Sequence, residues 1–218
     1  MYLSRVKIDR FNRHNLRELK HLGCYHGWIE SSFPTEKAEA EKTRKLWRID
    51  TLNDEYYLIL LSETAPDIAM LEKYGVKGSG SSKNYDKFLD SLKQGMRAKF
   101  RIKLNAVKSY SDRETYKKRG QVKPVPLAEL KSFFLERTQK NGFEVQKDEF
   151  DVSQRINEFF QHSNPKDKEK QDRINLVSVT YEGILTITDL EKFKQTLQKG
   201  IGKKKAYGFG LLTIIPVK

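Results

Sequence analysis

The run Met96-Arg-Ala-Lys-Phe-Arg-Ile-Lys-Leu104 limits the fold more than any other stretch of the chain. Apolar side chains take every second place, at Met96, Ala98, Phe100, Ile102 and Leu104, and Arg97, Lys99, Arg101 and Lys103 take the places between. Successive side chains of a strand point to opposite faces, so one face of this strand belongs to a core and the other carries only cations. A helix, with its period near 3.6, would mix the two sets. The cationic face has two readings. Lysines line exposed sheet faces to discourage aggregation, and basic rows also bind polyanions. The whole chain carries 42 Lys and Arg against 29 Asp and Glu, a formal charge of +13 over 218 residues, which weighs toward a polyanion such as nucleic acid.

The elements around this strand fall into two cycles. In the first, Tyr2 to Ile8 reads as a strand, and Asn15 to Phe33 places Leu16, Leu19, Leu22, Ile29 and Phe33 on one helical face. Lys45 to Asp50 and Tyr56 to Ser62 are β-rich and flank the turn residues Asn53-Asp54, which predicts a hairpin. Pro66 to Tyr74 reads as a short helix ended by Gly75, Gly78 to Ser82 as a flexible loop, and Asp86 to Leu89 as a weak strand. The second cycle starts at Met96. A helix opens at Pro126-Leu127 and runs through Leu130 and Phe134 to Asn141-Gly142, and Ile174 to Thr188 holds two strand-like runs broken at Glu182-Gly183. Thr188-Asp-Leu-Glu191 resembles a capping box for a helix carrying Leu190, Phe193, Leu197 and Ile201, and Leu211 to Ile215 is a terminal strand. The charged stretch from His162 to Arg173 is expected to be a mobile loop. Each cycle is βαββαβ, so the expected fold is α+β with two tandem ferredoxin-like domains, residues 1–92 and 96–218, hinged near Leu92 to Gly95.

Chemistry concentrates at few places. Gly200-Ile-Gly-Lys-Lys-Lys-Ala-Tyr-Gly-Phe-Gly210 joins a helix to the last strand. Its glycines Gly200, Gly202, Gly208 and Gly210 could bring backbone N–H groups close to a phosphate, with charge from Lys203, Lys204 and Lys205, or the segment could be a helix cap followed by an exposed turn. Neither nucleotide fingerprint fits, because Leu197 stands where a Walker loop needs glycine and Lys205 where a dinucleotide loop does. Tyr207 and Phe209 could stack on bases or pack beneath the loop. His26 falls on the side of Leu22, Ile29 and Phe33, which suits a hydrogen-bonded histidine at the rim of a core; its rival role is general acid or base. The lone Cys24 and the scattered His14, His21, His26 and His162 have no metal-site spacing, so no metal and no small-molecule cofactor is expected. One cysteine, no apolar signal core and no membrane-length run lead to the expectation of a cytoplasmic protein without membrane partners.

Several of these segments together resemble the CasE family, the endoribonucleases that process CRISPR precursor RNA in the type I-E Cascade system. The resemblance lies in Met1-Tyr-Leu-Ser-Arg-Val, His26 ahead of Phe33-Pro34, Lys45-Leu-Trp-Arg-Ile, and Phe100-Arg-Ile-Lys-Leu-Asn105 with Lys108. Most specific are Tyr181-Glu-Gly-Ile-Leu-Thr-Ile and the Gly200 to Leu212 segment, which has the form seen in RAMP proteins. The resemblance implies tandem RAMP/RRM-like ferredoxin folds, metal-independent cleavage of repeat RNA at the base of its hairpin, and retention of the product as a Cascade subunit. It matches His26 to the catalytic histidine. Members often carry a tyrosine one turn earlier, where this chain has Gly23, which leaves Tyr25 as the nearest substitute, and the family's Asn-Pro is here Asn105-Ala106. RNA contacts are then expected from Arg97, Lys99, Arg101 and Lys103, from the Gly200 to Gly210 segment, and from Lys166, Lys168 and Lys170. The alternative is a non-catalytic hairpin-binding scaffold in which His26 is structural.

Overall fold

The computed structural model describes residues 1–38, 43–110, 121–163 and 171–217. Its first sheet is organised by a tight hairpin, in which Asn53 and Asp54 adopt φ of 50° and 61°, the left-handed pair that matches the twist of the strands it joins. Those strands are β2 (Leu46–Leu52) and β3 (Glu55–Ser62). They follow β1 (Tyr2–Lys7), α1 (Arg13–Glu18), α2 (Leu22–Ser31) and α3 (Pro34–Ala38), and precede α4 (Ile68–Leu71), β4 (Ser81–Asn84) and α5 (Asp86–Ser91). The sheet order is β2-β3-β1-β4, antiparallel throughout, which is the ferredoxin-like order.

The second half repeats it. Its elements are β5 (Arg97–Asn105), β6 (Val107–Tyr110), β7 (Gln121–Pro124), α6 (Leu130–Thr138), β8 (Phe143–Glu144), β9 (Phe150–Ser163), β10 (Gln171–Ile187), α7 (Leu190–Lys199) and β11 (Leu212–Pro216). The order β11-β5-β10-β8 is again ferredoxin-like, and β9 is added along β10. The strand β5 buries Ala98, Phe100, Ile102 and Leu104, as its alternation predicts.

Several boundaries differ from the sequence reading, each for a local reason. Asn15 to Phe33 is not one helix. The Asn12 side chain accepts from His14 and Asn15 to start α1, and the His21 side chain accepts from Gly23 to start α2, so side-chain caps interrupt the apolar period. Asp86 to Leu89 is helical. The strand is Ser81 to Asn84, which begins at the end of the expected loop, pairs with β1, and has the Ser4 and Ser82 hydroxyls bonded at 2.8 Å. Glu182-Gly183 does not break β10; a Cβ at Gly183 would collide with the backbone of Glu149 and Phe150, so glycine admits the start of β9. The cap of α7 is Asp189, not Thr188, and its side chain accepts from the Lys192 N–H. Of the expected loop from His162 to Arg173, its ends lie in β9 and β10, and residues 164–170 lie outside the described residues.

The two halves interlock. Leu46, Leu61, Tyr85, Leu89 and Leu92 join the core of the second half, while Phe160, Leu176 and Phe209 join that of the first. Arg48, 2% exposed, bridges the sheets: Nη1 donates to the carbonyls of Arg101 and Leu211 at 2.8 Å each, Nη2 to Thr213 Oγ1 at 2.7 Å, and Nε and Nη2 to Asp50 at 2.6 and 2.7 Å.

Candidate active site

Helix α2 carries His26 and buries Trp28 and Ile29 near its end, with Phe33 buried just beyond it. The imidazole is about a third exposed, with Nδ1 3.9 Å from Glu30 Oε1 one turn along the helix. Facing it is the segment after α7. Gly200 caps that helix at φ 69°, and the chain then folds back so that Trp47 of β2 donates to the Ala206 carbonyl at 2.9 Å. Gly208, at φ 81°, lies flat on the Trp47 ring, where an added Cβ would sit 2.9 Å from ring carbon. This docking brings Tyr207 beside His26, with ring centroids 5.8 Å apart, and stacks Tyr207 on Phe160 of β9 at 3.8 Å.

The result is an open cavity of about 390 Å³ lined by His26, Glu30, Thr43, Arg44, Lys45, Gly202, Lys204, Lys205 and Ala206. Apart from Glu30, the charged residues of its walls are cations: Arg44, Lys45, Lys204 and Lys205. Lys204 holds a left-handed backbone at φ 62°, and its ammonium lies 5.0 Å from the Phe160 ring centroid. Lys205 donates to the Lys199 carbonyl at 2.7 Å, and burial, then the charge of Arg44, push its pKa below the usual lysine value. Lys203 is exposed. Beneath them Lys45, its side chain 3% exposed, donates to Glu36 at 2.6 Å and to the Thr43 carbonyl at 3.2 Å. Burial pushes the Glu36 carboxyl up, but hydrogen bonds from Lys45, Thr64 and Thr43 outweigh it and hold the pKa at about 2.

The residues singled out in the sequence are thus distributed unevenly. His26, Gly202, Lys204 and Lys205 meet in one cavity. Tyr25 does not join them: it stacks on Trp47 at 5.8 Å and faces a separate cleft of about 560 Å³ between the sheets, and burial raises its hydroxyl pKa. Neighbouring helix residues point about 100° apart, which sends the two rings to different sides. The glycines shape the segment instead of presenting it, since the N–H groups of Gly200, Gly208 and Gly210 donate to the carbonyls of Thr196, Lys205 and Lys103. The basic strand also divides. Lys99 is exposed, Arg97 pairs with Glu149, Arg101 pairs with Glu182 and Asp50, and Lys103, 6% exposed, pairs with Glu158 at 3.1 Å. The purely cationic face expected from alternation is therefore largely an ion-paired seam between strands. Lys166, Lys168 and Lys170 lie outside the described residues.

Among the wall residues, Glu30, Arg44 and Lys45 were not site candidates from sequence. The i, i+4 spacing of His26 and Glu30 was the one legible signal. Among the described residues, no group of three or more His, Cys, Asp and Glu side chains could hold a metal ion, and no helix is long and apolar enough to cross a membrane.

Two ferredoxin-like sheets stapled together, with a histidine set against a cation-walled cavity between helix and glycine-rich segment, define the class to which this molecule belongs. The chain belongs to the family of CRISPR associated proteins, which matches residues 1–216. It is 26% identical over 221 residues to the CRISPR-associated endoribonuclease Cse3 of Thermus thermophilus, covering 99% of this chain and 100% of that protein. It shares its fold with a CRISPR endoribonuclease Cse3 solved bound to 19 nt RNA, at TM-score 0.79 and 24% identity over 99% of this chain and 100% of that one. A chain of a CRISPR RNA-guided surveillance complex in a pre-nicking state has the same fold at TM-score 0.68 and 22% identity, covering 100% of both chains.

Proposed function

We propose that this protein is an endoribonuclease that cleaves CRISPR repeat RNA at the base of its hairpin and keeps the product as a subunit of a Cascade surveillance complex in the cytoplasm. The observation that carries the reading is the juxtaposition of His26 with Arg44, Lys204 and Lys205 around one open cavity. Support comes also from the endoribonuclease name of the Thermus relative and from the shared fold with a chain of a surveillance complex.

The chemistry follows from RNA itself. The 2′-hydroxyl attacks the adjacent phosphorus, a new P–O2′ bond forms, and the P–O5′ bond breaks, leaving a 2′,3′-cyclic phosphate and a 5′-hydroxyl. One proton leaves the 2′-oxygen and one reaches the 5′-oxygen, and His26 carries one of these transfers, a contribution of about 10²–10⁴ in rate. The phosphorane carries added negative charge, and preorganised ammonium and guanidinium groups stabilise it more than they stabilise the substrate. Lys204 and Arg44 are the cations we assign to that task. Lys203 and Lys99, both exposed, are assigned to backbone phosphates, while Arg97, Arg101 and Lys103 serve chiefly to hold the sheets. Hairpin RNA is recognised largely through backbone and shape, which a shallow cationic cavity suits.

The test is single-turnover cleavage of the repeat RNA in EDTA, with mass spectrometry of the ends. The expected result is a 5′-hydroxyl on the downstream fragment, and loss of cleavage without loss of hairpin binding in a folded His26→Ala variant. A 5′-phosphate, or an absolute need for Mg²⁺, would mean attack by metal-activated water. A folded His26→Ala variant that cuts at the wild-type rate would remove His26 from the reaction, and a wild type that binds the hairpin without cutting it would leave the hairpin-binding scaffold as the better reading.

A further inference from the structure

Lys45 is the most deeply buried ammonium at the His26 cavity, and burial of a charge is tolerated only where partners compensate it. Glu36 and the Thr43 carbonyl supply close partners, at 2.6 and 3.2 Å. Its third neighbour is Glu30, whose Oε2 lies 3.8 Å from the ammonium. The same carboxylate turns its other oxygen to His26, with Oε1 3.9 Å from Nδ1. Glu30 therefore stands between a fixed cation and the imidazole. Glu36 is held in turn by Thr43 and Thr64, whose hydroxyls donate to Oε1 at 2.8 and 2.7 Å, so the far end of the chain of charges is anchored to the fold.

We propose that Glu30 is a positioning residue for His26, and that the buried Lys45–Glu36 pair fixes Glu30 in that role. The inference rests on the reading of His26 as the proton-transfer group. A glutamate on a helix surface, left to itself, samples several rotamers. Attraction to an immobile ammonium restricts that freedom and keeps the carboxylate on the His26 side of the cavity. A carboxylate 3.9 Å from Nδ1 biases the ring toward the orientation that leaves Nε2 on the opposite edge, and it favours the protonated form. On the other side Tyr207 limits the swing of the ring. The charged groups that face His26 from the described elements around it are Glu30 on its own helix, Arg44 and Lys45 ahead of β2, and Lys204 and Lys205 in the segment after α7. Four of these are cations that disfavour imidazolium, so Glu30 is the group among them that opposes their effect.

Two measurements test the proposal. The first needs no RNA: the ring-proton resonance of His26, assigned by its disappearance in His26→Asn, is titrated by NMR in wild type and in Glu30→Gln. The expected result is a lower midpoint in Glu30→Gln, because the remaining charges are cationic. The second is single-turnover cleavage beside hairpin affinity, where Glu30→Gln should lose about tenfold or more in rate, in the range typical of residues that orient a functional imidazole, with affinity unchanged. Lys45→Met should lower the rate in the wild-type background and add little in the Glu30→Gln background, since it acts through Glu30. Circular dichroism reports folding; if Lys45→Met fails to fold, Glu30→Gln, which exchanges a half-buried carboxylate for an amide of the same shape, carries the test alone. A folded Glu30→Gln protein with an unmoved His26 midpoint overturns the proposal. Absence of cleavage by the wild type would instead overturn the nuclease reading, and the midpoint would still report on Glu30.

Discussion

Replacing Arg48 with lysine should cost the fold about 3 kcal/mol, although the charge is kept. Arginine has five N–H donors in a rigid fork. In this protein all of that fork is engaged, by Asp50 through two bonds and by the Arg101 carbonyl, the Leu211 carbonyl and Thr213 Oγ1 through one each. A lysine ammonium offers three donors on one atom, so it can face Asp50 or the carbonyls but not both sets. At least two acceptors then lose their donor, each at about 1–3 kcal/mol when buried, which sets the estimate. In a chain of this size the same loss lowers the melting temperature by about 2–4 °C per kcal/mol, or about 6–12 °C. Arg48→Met goes further, because Asp50 is left with Arg101 at 3.5 Å as its remaining cation, and breaking such a pair costs about 3–5 kcal/mol. Urea denaturation followed by circular dichroism measures both. The donors and acceptors lie on β2, on β5, and on β11 and the residue before it, so the unfolding transition should also broaden as the halves uncouple. An Arg48→Lys protein within about 0.5 kcal/mol of wild type, the range of ordinary surface substitutions, would refute this account of how the sheets are joined.

Other consequences can be checked independently. A Lys203→Ala/Lys204→Ala protein should bind the hairpin with a log K against log salt slope flatter by about 1.4–1.8, two contacts at about 0.7–0.9 each; an unchanged slope would remove these lysines from the RNA surface. Glu36, held at about pKa 2 against about 4.3 for a free glutamate, contributes stability that is present above about pH 4.3 and is lost as pH falls toward 2. Melting temperatures of wild type and Glu36→Gln should accordingly differ at pH 6 and converge near pH 2, and a gap that persists in acid would contradict the assigned charge. Gly208→Ala should destabilise the protein by about 1–2 kcal/mol for the left-handed backbone alone, with a further loss from the contact at Trp47, and should slow cleavage by displacing Tyr207 and Lys204.

Elements with a strong local pattern were legible from the chain. The alternation at Met96 to Leu104 gives β5, the Asn53-Asp54 turn gives the hairpin of β2 and β3, and Gly142, at φ 80°, ends the helical region that begins near Pro126. Where a segment lacks such a pattern, pairing decided its fate. Ser81 to Asn84 is a strand because β1 had an open edge, and β9 is a strand because β10 offers hydrogen bonds along its length, its own apolar alternation at Phe150, Val152, Ile156 and Phe160 being interrupted at Gln154 and Glu158. The family resemblance pointed to His26, but periodicity alone left it as a rim histidine.

The sequence by itself determined the α+β class, the strand β5, the hairpin of β2 and β3 and the two polar features, a basic strand and a glycine-lysine segment, because backbone period, turn chemistry and charge are local properties; the last strand of the first sheet and the middle strands of the second were placed by pairing. Only the tertiary structure decided what those features do. It brought residues 200–210 onto Trp47 and so against His26, across more than half the chain, and it turned Tyr25 the other way. It also spent most of the strand's cations on Glu149, Glu158, Glu182 and Asp50, whose distances in sequence hide them from any window. A charge read from sequence has a sign but no partner; partners are assigned when sheets pack, since burial makes an unpaired charge too costly to keep.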